Sequence, residues 1–273
     1  MRLRVGAGTH TGRVRELNED VYGLRAEQGL FVVCDGMGGA PAGEVASQIA
    51  AETILEQLNG GAQAPAASPP ANEWSYLPQT SRLAEAVRRS NQVIYSQAQR
   101  DPLQAEMGTT VVGAWIVQHI ASVAHVGDSR AYLWRNDHLE ALTRDHSLVE
   151  AQVCAGLLDR EESLRSAQQN ILVRVVGREP EVDVEVSEVP VQSGDYLLLC
   201  SDGLTRMVSE PTMAQAIVQL RNPQRICDYL IDAANRNGGT DNITVVVVEV
   251  MGNWWRCLSN RWMTRWRRAR CRS

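Results

Sequence analysis

The sequence predicts an α+β fold in which antiparallel sheets are covered by helices. Short runs rich in β-branched and aromatic residues occur in groups, as strands do. These groups alternate with pairs of helical segments and do not follow a strict βαβ order. No linker divides residues 1–250, so we expect one domain.

The elements are predicted from local pattern alone. The first 58 residues indicate a strand, a turn, a second strand and an amphipathic helix at 43–58. In order, the remaining elements are a helix at 81–100, strands at 109–117, 120–127 and 130–135, a polar helical or irregular stretch at 145–170, strands at 182–189 and 195–201, helices at 210–220 and 223–236, and a last strand at 242–250.

Two segments differ in composition from the rest. Residues 59–79, "NGGAQAPAASPPANEWSYLPQ", are rich in Gly, Ala and Pro and predict a low-complexity surface loop. Residues 252–273 contain seven arginines and no acidic residue. We therefore expect a domain over residues 1–251, followed by a basic, Trp-rich tail over residues 252–273.

Charge and hydropathy exclude several classes of protein. The chain is 44% hydrophobic and 22% charged, as soluble globular proteins are. Outside the tail, 20 arginines stand against 32 acidic residues, a net charge of −12 that argues against a nucleic-acid partner. No apolar run approaches the ~18–20 residues that span a bilayer, and the N-terminus lacks the apolar core of a signal peptide. We expect a cytoplasmic protein.

Six cysteines, at positions 34, 154, 200, 227, 257 and 271, do not form a CxxC pair. Several lie in apolar, strand-like runs, which favours reduced thiols over disulfides or a zinc site. Cys34 and Cys200 are most simply small core residues.

Aspartates recur where predicted strands end or begin. "LFVVCDG", "HVGDS" and "YLLLCSDG" place Asp35, Asp128 and Asp202 after apolar runs. Asp241 in "TDNITVVVV" precedes a strand, as does the acidic pair Glu19 and Asp20 in "NED". Each of these sites, taken alone, is most often a turn.

The recurrence of these aspartates favours a metal centre. Buried carboxylates without partners are costly, and several gathered together would repel one another unless cations lay between them. Hard carboxylate oxygens suit Mg²⁺ or Mn²⁺. The sequence shows no histidine or cysteine cluster that competes for this role. The adjacent glycines would let backbone or substrate approach closely.

Seven motifs in order resemble the metal-dependent protein phosphatases of the type 2C class, in particular the bacterial serine/threonine phosphatases. They are "TGRVRELNED" (11–20), "DGMGG" (35–39), "MGTT" (107–110), "HVGDSRAYL" (125–133), "LTRDHS" (142–147), "SDGLT" (201–205) and "DNITVVVV" (241–248). The resemblance runs from residue 9 to residue 250 and implies a four-layer α-β-β-α sandwich of two antiparallel sheets flanked by helices.

The resemblance also implies a centre of two Mn²⁺ or Mg²⁺ ions. Asp35 would bridge both ions, the carbonyl of Gly36 would bind the first, and Asp202 and Asp241 would bind the second. The acidic pair Glu19 and Asp20 would hold metal-bound waters. In bacterial relatives the aspartate of GDSR helps to bind a third, weaker ion, a role that falls here to Asp128.

The implied reaction is hydrolysis of phosphoserine and phosphothreonine in proteins by a hydroxide that bridges the two ions. Arg15 matches the family arginine that binds the substrate phosphate through two oxygens at once. Met37 stands where eukaryotic relatives carry a histidine, so no histidine general acid is expected. In the flap at residues 147–170, "SAQQN" (166–170) departs from the family pattern, with an unknown effect on substrate preference.

Two other functions remain open from the sequence. A phosphoprotein-binding scaffold with weak or no catalysis would usually have lost metal aspartates, whereas Asp35, Asp202 and Asp241 are all present. A cysteine-dependent phosphatase is suggested by C-x5-R at 154–160 and 200–206. An aspartate two residues after Cys200 would repel the phosphate in such a loop.

The tail and the partners are separate expectations. Trp254, Leu258, Trp262 and Trp266 recur on one helical face among arginines, which suits an anionic membrane surface or a partner protein. A loosely ordered extension without a role is the alternative. By family analogy, a serine/threonine kinase of the same cell and its phosphorylated substrates are the expected signalling partners.

Overall fold

The strands form two antiparallel sheets in the structure, a computed structural model that describes residues 1–39, 41–59, 76–163, 166 and 168–252. Within these residues the strands are β1 (Arg2–His10), β2 (Asp20–Arg25), β3 (Leu30–Met37), β4 (Gly108–Thr109), β5 (Val111–Val117), β6 (Ile120–Val126), β7 (Arg130–Arg135), β8 (His138–Ala141), β9 (Glu185–Pro190), β10 (Tyr196–Cys200) and β11 (Ile243–Met251). The first sheet has the order β1-β11-β10-β7-β8. The second has the order β2-β3-β5-β6-β9, with β4 paired to β3.

Helices cover the outer face of each sheet. They are α1 (Ala42–Gln57), α2 (Pro78–Ala98), α3 (Leu148–Cys154), α4 (Arg160–Ser163), α5 (Asp202–Thr205), α6 (Glu210–Leu220) and α7 (Pro223–Arg236). Side chains of α1 and α2 share a core with the second sheet, and those of α6 and α7 share a core with the first. The predicted four-layer α-β-β-α sandwich is confirmed.

Strand β3 shows why these layers form. Successive side chains of a strand point to opposite faces, and every side chain from residue 30 to residue 34 is fully buried. Leu30, Val32 and Cys34 face the helices α1 and α2, whereas Phe31 and Val33 face the core between the sheets. A strand with helices on one face and a second sheet on the other must be apolar throughout, which accounts for the unbroken run "LFVVC".

The structure corrects the predicted starts of one helix and one strand and adds a further strand. Helix α2 begins at Pro78, three residues before the predicted start, because proline fits the first turn of a helix, where its missing N–H is not needed. The strand predicted at 182–189 begins only at Glu185. Strand β8 was not predicted. It follows a two-residue turn in which Asn136 and Asp137 both have positive φ, the conformation of a tight hairpin.

Most of the predicted loop at 59–79, and the tail beyond residue 252, lie outside the described residues. No helix in the described part of the chain is both long and apolar enough to span a membrane.

Candidate metal centre

The predicted acidic residues converge at one end of the sandwich. Asp20 opens β2 and Asp35 lies near the end of β3, and the two are direct cross-strand partners. In the first sheet, β10 ends where β11 begins, so Asp202 after β10 and Asp241 before β11 lie at a common edge. The turn from β6 to β7 brings Asp128 to the same region, since Arg130 pairs with Cys200.

Two threonines hold Asp35 in place. The backbone N–H of Thr110 donates to the Asp35 carbonyl oxygen at 2.8 Å, and the Thr109 hydroxyl donates to the same oxygen at 2.9 Å. In return the Asp35 N–H donates to the Thr110 hydroxyl at 3.1 Å. These three hydrogen bonds use only backbone atoms of Asp35, and its carboxylate lies beside that of Asp202 in the centre.

The glycines of the first motif allow three segments to meet. The Gly36 N–H donates to the Glu19 carbonyl oxygen at 3.1 Å. A Cβ atom at Gly36 would lie 2.1 Å from the Gly43 carbonyl oxygen, and one at Gly43 would lie 2.4 Å from Glu19 Oε1. Only glycine permits the first turn of α1 to approach β3 and the acidic pair this closely.

Asp20 is a buried carboxyl with one satisfied oxygen. The Ser201 hydroxyl donates to Asp20 Oδ2 at 2.7 Å and itself accepts the Thr244 N–H at 3.0 Å. Desolvation raises the pKa of Asp20 to about 7, with a further contribution from the charges of Asp202 and Asp241. Ser201 thus joins the first sheet to the acidic edge of the second.

Arginines neutralise the carboxylates of the first sheet. Arg15 Nη2 donates to Asp241 Oδ2 at 2.9 Å, and this bond is the main cause of a raised Arg15 pKa. Arg206 forms an ion pair with Asp202, four residues earlier on the same turn of helix. Its guanidinium also lies 3.7 Å from Asp128 Oδ2 and 3.8 Å from Asp241 Oδ2.

Burial and mutual repulsion raise the pKa of several carboxyls in this cluster. Desolvation raises the pKa of Asp35 well above its ordinary value, and the charges of Asp20, Asp202, Asp128 and Asp241 raise it further. Desolvation also raises the pKa of Asp128 to about 8, with Asp202 the largest charge effect. The same cause raises the pKa of Glu19 and of Asp202. An additional positive charge among these groups would relieve the repulsion.

The donor atoms fit a hard divalent cation. Glu19 Oε1, Asp20 Oδ1 and Asp202 Oδ1 are buried oxygens without a hydrogen-bond partner. Buried polar atoms are almost always partnered, so three such oxygens within one acidic cluster fit a site that accepts a cation. Carboxylate oxygens in this number suit Mg²⁺ or Mn²⁺.

The structure corrects the expectation that no histidine cluster forms. His125, His146 and Glu185 offer ligand atoms within 4.8 Å of one another. Three of the four ring nitrogens already have hydrogen-bond partners: His125 Nε2 bonds the Arg144 carbonyl at 2.7 Å, His146 Nδ1 accepts the Gly127 N–H, and His146 Nε2 bonds Glu185 Oε2 at 3.3 Å.

A guanidinium nitrogen of Arg174 also lies 3.2 Å from His146 Nε2 and would repel a cation there. Burial lowers the pKa of His125 to about 4, so this ring is neutral. These histidines support the turn that carries Asp128.

Cys200 does not have the environment of a nucleophile. Its side chain is fully buried between β10 and the outer helices, and burial raises its pKa to about 12. A catalytic cysteine needs a lowered pKa and access to substrate. A cysteine-dependent mechanism that uses Cys200 is therefore contradicted by the structure.

Three residues of the site were not recognised as such from the sequence. In the sequence, Ser201 and Asn242 stand inside the motifs "SDGLT" and "DNITVVVV", and Arg206 ends the C-x5-R pattern at 200–206. Asn242 accepts the Glu19 N–H at 2.8 Å and donates to the carbonyls of Thr11 and Leu17, each at 2.9 Å. It thereby fixes the loop that presents Arg15. Its position next to Asp241 in "DN" was the available signal.

The fold and the carboxylate cluster together define a protein with an all-oxygen metal centre at one end of a β-sandwich. Residues 7–238 match the family described as protein phosphatase 2C. The serine/threonine phosphatase Stp of Listeria innocua is 38% identical over 244 residues, which cover 88% of this chain and 93% of that protein. The chain belongs to the protein phosphatase 2C family.

Solved structures agree with this assignment. The Mycobacterium tuberculosis serine/threonine phosphatase PstP/Ppp superposes with a TM-score of 0.80 at 33% identity, covering 92% of this chain and all of that chain. The catalytic domain of PstP in complex with two manganese ions superposes with a TM-score of 0.78 at 34% identity, covering 92% of this chain and 99% of that one. The predicted family, fold and phosphatase class are confirmed.

Proposed function

We propose that this protein is a metal-dependent phosphatase that hydrolyses phosphoserine and phosphothreonine in proteins. The observation that carries the proposal is the set of partnerless buried oxygens on Glu19, Asp20 and Asp202, within a cluster that also contains Asp35 and Asp241. The similarity to the serine/threonine phosphatase Stp supports the proposal, as does the similarity to the catalytic domain of PstP, which was solved with two manganese ions.

We assign Asp35, the Gly36 carbonyl, Asp202 and Asp241 to two Mn²⁺ or Mg²⁺ ions. Asp20 and Glu19 would hold water molecules around the same ions, and Asp128 would contribute to a third ion. Such ions, when bound, lower the pKa of a water nucleophile and polarise the phosphoryl group. A protein nucleophile is then unnecessary, which agrees with a buried, protonated Cys200.

The chain's own contribution to substrate binding is Arg15. Its side chain is half exposed, so the guanidinium can reach a phosphate at the mouth of the site. Its bond to Asp241 Oδ2 orients the guanidinium beside the acidic cluster before substrate arrives. A planar fork of N–H donors binds two phosphate oxygens at once, which a lysine cannot do.

Phosphate release from matched peptides tests the substrate class. With Mn²⁺ we expect hydrolysis of phosphoserine and phosphothreonine peptides, little hydrolysis of the phosphotyrosine peptide, and none in EDTA. The variant Asp241→Asn should lose activity on every peptide. Binding of phosphopeptides without turnover under any metal would contradict the proposal and favour the scaffold.

The domain limits, the location and the partners of the protein are also proposals. Residues 1–251 would form the phosphatase unit, and the basic tail at 252–273 would hold it at an anionic membrane surface or on a partner, within the cytoplasm. The tail's seven arginines and its Trp-rich sequence support this role. A serine/threonine kinase of the same cell would supply the phosphorylated substrates.

A further inference from the structure

Arg206 contacts three carboxylates from three separate segments. It follows α5 in sequence and pairs with Asp202 at the start of that helix. It also reaches Asp128 in the turn between β6 and β7, at 3.7 Å, and Asp241 before β11, at 3.8 Å. All three partners are among the proposed metal ligands, and two of them, Asp128 and Asp202, are buried.

The position of the Arg206 guanidinium suits a counter-ion for the buried carboxylates. About a quarter of its side chain is exposed, so it lies between the buried carboxylates and solvent. It engages Oδ2 of Asp202 and leaves the buried Oδ1 without a partner. Arg206 therefore satisfies the cluster only in part, and the remaining oxygens can still accept a cation.

We propose that Arg206 is an internal counter-ion of the metal centre, which stabilises the metal-free protein and competes with Mn²⁺ for the same carboxylates. The inference rests on the proposed function, because it takes Asp202, Asp128 and Asp241 as metal ligands. Its physical basis is simple. A guanidinium is always protonated, so a divalent cation that enters the cluster must either displace it or bind against its charge.

The expected change in Mn²⁺ affinity on removing Arg206 can be calculated from the charges alone. A unit charge about 6 Å from a divalent ion opposes its binding by about tenfold even in a water-like dielectric. Removing the charge of Arg206 should therefore tighten Mn²⁺ binding by about that factor. It should also destabilise the metal-free chain, because Asp202 and Asp128 lose their counter-ion.

The experiment compares Mn²⁺ affinity and metal-free stability in four forms of the full chain. Titration calorimetry on EDTA-stripped, dialysed protein measures the affinity, and thermal unfolding in EDTA measures the stability. Arg206→Gln removes the charge, and Arg206→Lys keeps it without the planar fork. Arg4→Gln removes an equal charge from the Glu249 ion pair at the far end of β1, so it controls for net charge.

We expect Arg206→Gln to bind Mn²⁺ about tenfold more tightly than wild type and to unfold at a lower temperature in EDTA. Arg206→Lys should stay within about threefold of the wild-type affinity, since it keeps the charge. Arg4→Gln should leave the affinity unchanged. Equal or weaker Mn²⁺ binding by Arg206→Gln, or the same tightening in Arg4→Gln, would overturn the inference.

A further variant separates this inference from the proposed function. Asp202→Asn removes a proposed ligand and should weaken Mn²⁺ binding. If Asp202→Asn binds Mn²⁺ as wild type does, the ligand assignment fails and the inference fails with it. If Asp202→Asn weakens binding and Arg206→Gln leaves it unchanged, only the role of Arg206 is overturned.

Discussion

Asp20 and Asp35 face each other directly across β2 and β3, two carboxyls in a position where sheets usually place complementary side chains. Like charges directly opposite destabilise a sheet, and here Asp202 and Asp241 add to the repulsion. The chain nevertheless fixes both residues, Asp35 through Thr109 and Thr110 and Asp20 through Ser201. Two opposed carboxyls are costly in the absence of cations, and the same arrangement favours cation binding.

Metal-free stability should depend on pH through these carboxyls. An unfolded aspartate titrates near 3.8, whereas burial raises the pKa of Asp128 to about 8 and that of Asp20 to about 7. Between these values the folded chain holds protons that the unfolded chain has released. Its stability should therefore fall as pH rises from about 4 to about 8.

Urea unfolding in EDTA at pH 5 and pH 8 measures the change in the free energy of unfolding of the metal-free protein. Asp128→Asn cannot titrate, so this variant should lose less stability than wild type between the two values. Parallel behaviour of the two proteins would show that Asp128 does not hold a proton in the folded state.

Arg15 should matter for binding of the substrate phosphate. A hydrogen bond to a charged group contributes about 1.5–3 kcal/mol, so Arg15→Ala should lower kcat/KM by roughly tenfold to a hundredfold. Arg15→Lys should recover part of this loss, since it restores charge without the fork. The measurement is peptide hydrolysis at saturating Mn²⁺.

Arg13 provides the matched control for Arg15. It lies in the same loop, but its Nε donates to the Asn235 carbonyl on α7 at 2.8 Å. Arg13→Ala should stay within about threefold of wild type, as surface substitutions away from a site usually do. Equal losses in the two variants would mean that the loop as a whole, and not the Arg15 guanidinium, is responsible.

Gly36 should not tolerate a side chain. A Cβ atom there would lie 2.1 Å from the backbone oxygen of Gly43, which cannot move without shifting α1. Gly36→Ala should lower the free energy of unfolding by about 1–3 kcal/mol or more, as overpacking does. Gly113→Ala is the control, since its Cβ would lie 3.5 Å from the nearest atom. Equal urea midpoints for the two variants would contradict the close approach.

Deletion of residues 252–273 should leave hydrolysis of a small phosphate ester intact. Strand β11 ends at Met251, and its pairing with β1 and β10 already completes the first sheet. Turnover of para-nitrophenyl phosphate by the shortened chain should match that of the full chain. A loss beyond about tenfold would show that the tail belongs to the catalytic unit.

Much of this centre could be predicted because its signals are local. Asp35 lies near the end of the apolar strand β3, Asp128 and Asp202 follow the apolar strands β6 and β10, and strand ends gather at the edges of sheets. The spacing of apolar residues along the sequence located most of the helices and strands. The predicted helix starts at residue 81, later than the observed start at Pro78, because Pro78 and Gln79 end the low-complexity stretch predicted as a loop at 59–79.

What could not be predicted depends on contacts between distant segments. Arg206 meets Asp128 and Asp241 only after both sheets have formed. His125 and His146 stack with ring centroids 4.4 Å apart although 21 positions separate them in the chain. Neither relationship leaves a periodic trace in the sequence. Strand β8 was missed for a different reason, since the Asn136–Asp137 turn was an available hairpin signal.

The most direct test compares Asp202→Asn with Cys200→Ser in hydrolysis of para-nitrophenyl phosphate, with Mn²⁺ and with EDTA. We expect metal-dependent turnover in wild type, a loss of at least about a hundredfold in Asp202→Asn, and near-normal activity in Cys200→Ser. Turnover that persists in EDTA and disappears in Cys200→Ser would contradict the carboxylate metal centre.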